Sequence, residues 1–283
     1  MPRFAANLTM LWPELDVYDR FRAAAEAGFR RVEILFVHAL DAGRVERALR
    51  ENGLELVLFD PAPGDWNKGE RGLLSVPGRE EEFLATVRDA VSSAQRFGTK
   101  LLNALAGIPP AGVPRAGAER TAVANLRAAV PLVEKIGATI LVEAINPVDM
   151  PRYFADTVER AAALVEAADS PSVRLQLDQY HVGMVGADAR AALRRYAPLV
   201  ATFRSPTYRA GTSPGRARSR SANSSRISIG SDTAEASGWS TGREGAWTKR
   251  SRGCLGRRAN NRASIASAAS QPATSWPSEG RGG

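Results

Sequence analysis

The chain of 283 residues has one cysteine, Cys254, and it lies late. A single thiol cannot close an intrachain disulfide, and residues 1–200 are left without any thiolate metal ligand. Histidine is also scarce. His38 and His181 are the only two, too few for a histidine-rich multi-metal centre. No apolar run reaches 18 residues, so no membrane-spanning helix is expected. The start, MPRFAANLTML, lacks the basic opening and unbroken apolar core of a secretory leader. A cytoplasmic location and no membrane partner are therefore expected. No GxGxxG follows the first apolar run, which removes the main dinucleotide signal.

The scarcity is uneven along the chain. Residues 201–283 contain no valine, one leucine (Leu255) and 16 of the 21 serines. They carry 14 Lys+Arg against 4 Asp+Glu, whereas residues 1–200 carry 24 against 26. The net charge of +8 thus comes entirely from the tail. So few apolar residues cannot offset the entropy cost of ordering such a segment. Two regions follow: a folded domain over 1–200 and an Arg/Ser/Gly/Ala-rich tail over 201–283, expected to have little secondary structure. The arginines are scattered, without a basic helix or an RNA-binding motif, so no nucleic-acid partner is expected.

The first 200 residues alternate between strand and helix signals. Apolar runs at Phe4–Met10, Val32–Phe36, Leu54–Phe59, Leu101–Ala106, Thr139–Ile145 and Val173–Leu177 read as strands. Helical spacing covers Val17–Ala27, Ala42–Glu51, Glu80–Phe97, Ala116–Ile136, Phe154–Ala168 and Ala187–Tyr196. Gly28, Gly53, Gly98 and Gly137 follow the first four helices as stop signals. Six βα units in one run predict a parallel sheet, as in a doubly wound fold or a (β/α)8 barrel. A full barrel needs about 250 residues, and the alternation ends two units early.

In a barrel, chemistry sits at the C-terminal strand ends. Glu143 ends the fifth strand in LVEAIN, and Asp178 ends the sixth in LDQYH, with His181 three residues on. Either carboxylate alone fits a structural ion pair. Two on successive strands can converge on one hard cation, Mg2+ or Mn2+. His181 suits a substrate oxygen or proton transfer, or is simply a satisfied histidine at a loop end. His38 reads as structural or peripheral. The long polar loop Asp60–Gly78 holds Trp66, Glu70 and Arg71, candidates for substrate contact in a lid, although a solvated loop has the same composition.

The segments RFAANLTMLW, AAAEAGFRRVEILF, PGDW…GERG, LVEAIN and LDQYH together resemble the hydroxypyruvate isomerase family of xylose-isomerase-like (β/α)8 barrels. The resemblance covers residues 3–200 in order and spacing. It implies interconversion of hydroxypyruvate and tartronate semialdehyde, with close relatives acting on 2-oxo-tetronates. It also implies a divalent metal held by Glu, Asp, Gln and a second Glu, of which Glu143 and Asp178 match the first two. His181 matches a substrate contact, and Asp60 stands where Asn is expected. The implied chemistry is a metal-stabilised enediol, with Glu143 as one of two acid–base glutamates. The substrate partner is a small hydroxy-keto acid, and self-association is common in such barrels. The runners-up are a ketose 3-epimerase, a metal-dependent DNA-repair endonuclease, disfavoured by two histidines, and an inactive barrel kept as a binding module.

The tail reads as an out-of-frame version of the same family. If the frame shifts by one base near codon 200, Ala201–Arg218 back-translates as GHVQIADVPGRHEPGTGE and Asp232–Gly245 as GYRGSVGLEYRPRG. These resemble the family's seventh and eighth strand regions, in the right order. Arg204 then stands at the Gln ligand and Ser240 at the second Glu. Neither replacement serves, because Arg accepts nothing and Ser is no carboxylate base. Six units alone predict a gapped barrel with two open strand edges.

Overall fold

The structure is a computed structural model, and it describes residues 3–206 and the strand Arg226–Gly230. Two compact units divide the chain, Met1–Gly238 and Trp239–Gly283. All described elements belong to the first. Ser240, Cys254 and most of the Arg/Ser-rich tail lie outside the described residues.

Seven parallel strands form the sheet: β1 (Arg3–Asn7), β2 (Arg31–Glu33), β3 (Glu55–Phe59), β4 (Leu101–Asn103), β5 (Thr139–Glu143), β6 (Val173–Asp178) and β7 (Val200–Pro206). The helices between them are α1 (Asp19–Glu26), α2 (Ala42–Asn52), α3 (Glu80–Phe97), α4 (Arg115–Glu134), α5 (Val158–Ala168), α6 (Gln179–Met184) and α7 (Ala189–Tyr196). Each expected strand is present. Most end sooner than their apolar runs, because a polar residue (Asn7, Glu33, Asn103) closes the pairing and the chain turns out of the barrel.

The helices start and stop for local reasons. Asp41 caps α2 by accepting the Arg44 N–H at 2.7 Å, and Gly53 ends it at φ 60°. In α4, Ala118, Ala122, Leu126, Ala129 and Val133 recur at helical spacing and bury one stripe on the sheet. The long helix expected over Ala187–Tyr196 begins at Ala189. LDQYH, expected to lead into a loop, instead turns straight into α6. There the Asp178 carboxylate accepts the Tyr180 N–H at 2.8 Å, so one residue both ends β6 and caps α6.

The expected open edges are absent among the described residues. β6 pairs with β7, and a strand β8 (Arg226–Gly230) pairs with both β7 and β1, closing the barrel. The reason is backbone chemistry. An unpaired strand edge presents a row of N–H and C=O groups that any extended segment can satisfy. β8 runs antiparallel to both neighbours, opposite to the eighth strand of a (β/α)8 barrel. It closes the sheet without supplying an eighth βα unit.

The loop after β3 is tied down rather than loose. Ser75 donates its hydroxyl to the Ala106 carbonyl at 2.6 Å, and Asn125 of α4 donates to the Leu74 carbonyl at 2.9 Å. Gly72, at φ +118°, forms a bridge with Ala106, and a Cβ there would lie 2.1 Å from the Leu105 carbonyl oxygen. Only glycine permits both that φ and that approach. Gly72→Ala should cost about 2 kcal/mol or more of stability, read as a lowered urea midpoint; an unchanged midpoint would refute this packing.

Candidate active site at the C-terminal mouth of the barrel

Buried polar side chains gather at the C-terminal strand ends: Asn7, Glu33, Asp60, Asn103, Glu143 and Asp178, with Arg204 from β7. Glu143 is 3% exposed and Arg204 1%. One ligand atom from each of Glu143, Asp178 and His181 falls within 4.8 Å of the others. The structure thus brings together the three late-strand residues expected from the sequence. It sets His181 on α6, where Nδ1 lies 2.7 Å from the Asn146 side-chain nitrogen.

Arg204 dominates this cluster. It sits opposite Asp178 in the β6–β7 register. Its Nη1 lies 3.1 and 3.3 Å from the two Glu143 oxygens, and its Nε lies 3.1 Å from Glu33 Oε1. Asn103 adds a hydrogen bond to Glu143 Oε2 at 3.2 Å. Burial pulls the guanidinium pKa down, but Glu143, Glu33, Asp178 and Asp60 together outweigh that and hold it above its ordinary value. Arg204 is therefore a fixed cation inside the barrel.

That cation bears on the metal. Two carboxylates and an imidazole within 4.8 Å suit a divalent ion by donor chemistry. In this chain, however, both Glu143 oxygens already accept from a guanidinium. A dication about 4 Å from that fixed charge is repelled by roughly 8 kcal/mol at an effective dielectric of ~20, which offsets the attraction of about one carboxylate at the same distance, and Glu143 is the one the guanidinium already holds. The residues as arranged do not fit a divalent metal.

The loop candidates sit apart from the carboxylate cluster in their bonding. Trp66 stacks under the Arg71 guanidinium at 3.9 Å and packs on Phe36 with ring centroids 5.1 Å apart. Arg71 also donates to the Trp66 and Glu70 carbonyls. Glu70 pairs with Arg79 at 2.5 Å and accepts the Asp65 N–H at 2.6 Å. Those hydrogen bonds, Arg79 foremost, hold its carboxyl below the usual range. These contacts shape the loop; none reaches the Glu143 cluster. His38 is exposed in the turn Val37–Ala39, its ring edge-on to Phe36.

Three members of the cluster were not foreseen: Glu33, Asn103 and Asn7. Each is a polar residue ending or interrupting an apolar run, the same signal that marked Glu143 and Asp178. Strand end, rather than strand sequence, was the missing information.

These features define a class, α/β barrels whose polar side chains gather at the C-terminal strand ends. The xylose isomerase-like TIM barrel family matches residues 21–207. The chain belongs to that family. It is 40% identical over 195 residues to the 2-oxo-tetronate isomerase of Cupriavidus necator, covering 69% of this chain and 75% of the relative. It is 36% identical over 200 residues to the hydroxypyruvate isomerase of Escherichia coli, covering 71% and 78%. Among solved structures, one titled AP endonuclease, family 2, from Brucella melitensis aligns at TM-score 0.68 and 39% identity, over 71% of this chain and 78% of that one.

Asp60 provides a test of the site's electrostatics. Burial drives its carboxyl well above the usual range, against the pull of Arg204. The folded state then keeps a proton that the unfolded chain releases at lower pH. The stability from that proton is full at acid pH and is lost as pH rises through the folded-state value. Asn does not titrate, so Asp60→Asn should gain stability over the parent as pH rises. Urea unfolding at about pH 5 and about pH 8 reads this; an equal difference at both would contradict it.

Proposed function

We propose that residues 1–200 are the scaffold of an isomerase that interconverts hydroxypyruvate and tartronate semialdehyde. The observation that carries this reading is Glu143, buried at the barrel mouth beside Asp178 and His181, in a chain matching named isomerases over about 70% of its length. In the forward direction a carboxylate at Glu143 takes a proton from the CH2OH carbon. The electrons shift onto the carbonyl oxygen, which takes up a proton to give the enediol; the terminal hydroxyl then gives up its proton to become the aldehyde as the neighbouring carbon, now bearing the alcohol, takes a proton. Asn103 fixes Glu143 in place from the adjoining strand. When bound, a divalent metal supplies polarisation of the carbonyl to such a site; no step here depends on it, because Arg204 takes its ground. Trp66, Glu70, Arg71 and His181 are the proposed substrate contacts.

The proposal extends to the tail. Residues 201–283 are a frame-shifted reading that has lost the second acid–base glutamate and the Gln ligand, leaving Ser240 and Arg204. The match to the family ends at residue 207, a few residues after the proposed break near codon 200. This chain therefore carries an isomerase scaffold with a defective centre. A cytoplasmic location, a small hydroxy-keto acid as partner and self-association complete the reading. Among the described residues no helix is long and apolar enough to cross a membrane. A 2-oxo-tetronate is the favoured alternative substrate, since one named relative acts on it. Nuclease chemistry is disfavoured because His38 lies outside the cluster and only His181 joins it.

The test compares the chain as encoded with one whose frame is restored at codon 200, on hydroxypyruvate, a 2-oxo-tetronate and a ketohexose. The restored protein should isomerise one of the first two. The encoded chain should fall at least about 100-fold lower in kcat/KM, the scale of a lost acid–base group. Turnover of none by the restored protein, or equal rates from both, would overturn the proposal.

A further inference from the structure

We propose that Arg204 is the resident cation of this barrel: its guanidinium takes the charge position of a divalent metal, binds the acidic cluster shut and keeps metal out. This rests on reading Glu143 and Asp178 as the site's metal-binding carboxylates. It adds to that reading a positive assignment for a residue that the family pattern treats only as a lost ligand.

The geometry carries the assignment. Arg204 is among the largest fully buried side chains of the protein. A buried guanidinium without countercharges is very costly. Here it reaches carboxylates from opposite sides of the barrel mouth, Glu33 on β2 and Glu143 on β5, while Asp178 faces it in strand register. Three strands distant in sequence thus share one cation. A divalent ion on Glu143, Asp178 and His181 would draw on the same Glu143 oxygens that Arg204 holds. A metal can be diluted away; this cation is part of the chain and is fixed by the β6–β7 ladder. The acidic cluster carries this one positive charge in the folded protein whatever the metal supply.

The arrangement also differs from an ordinary buried pair. Removing the guanidinium exposes a cluster with the donor set of a metal site. The substitution that breaks the ion pairs should create a binding site. Arg204→Lys keeps a cation near the carboxylates and should leave the site closed.

The experiment titrates Mn2+ into the full-length protein, its Arg204→Gln and Arg204→Lys variants, and a Glu143→Gln/Asp178→Asn control. Bound Mn2+ is followed by electron paramagnetic resonance and thermal unfolding. The parent and Arg204→Lys should bind no more Mn2+ than the control. Arg204→Gln should start with a lower Tm, bind one Mn2+ at least about tenfold more tightly than the parent, and regain about 5–10 °C at a metal concentration ~100 times its Kd. Folding of Arg204→Gln only with Mn2+ present supports the proposal equally. Stoichiometric Mn2+ binding by the parent overturns it, however the variants fold. So does failure of Arg204→Gln to bind Mn2+, folded or not. Isomerase activity is not part of the readout. Metal uptake by Arg204→Gln together with an inactive frame-restored protein would retire the function while leaving this assignment standing.

Discussion

The contact between the Arg204 guanidinium and the carboxylates of Glu33 and Glu143 is the constraint on which the barrel's centre depends. Parallel barrels gather their strand ends at one mouth, and this sequence puts carboxyls on four of those ends: Glu33, Asp60, Glu143 and Asp178. Packed inside an apolar shell, such a group needs a cation. Here a single side chain from β7 provides it. Asn103 bonds the same Glu143, and the charge acts on the buried Asp60 nearby.

The second constraint is closure. β7 begins at Val200, where the ordered sequence pattern ends, and continues through Pro206 in the altered composition. A ladder bonds through the backbone, so it can extend across a change that ruins the side-chain pattern. The same indifference lets an antiparallel β8 take the last place. The side chains differ more than the ladder does: β7 places an arginine, Arg204, opposite Asp178 at the barrel mouth.

Much of this was legible in the residues. The alternation of apolar runs with glycine-stopped helices located six strands and their helices, and the strand-end rule found Glu143, Asp178 and the neighbouring His181. Glu33 and Asn103 escaped because RVEILF and LLNALA run on in hydrophobic character past the true strand ends, and only the turn of the backbone shows where those polar side chains point. The closure escaped because sheet edges recruit by hydrogen bonding, which composition does not encode. The burial of Arg204 between Glu33 and Glu143 was not legible, since it requires two residues more than a hundred positions apart, on β2 and β5, to meet.

The most direct measurement is a crystal structure of the full chain grown with Mn2+, with anomalous scattering recorded at the manganese edge. The account predicts the Arg204 guanidinium between Glu33 and Glu143 and no anomalous peak at the barrel mouth. A manganese peak bonded to Glu143 and Asp178, with Arg204 turned out of the site, would contradict it.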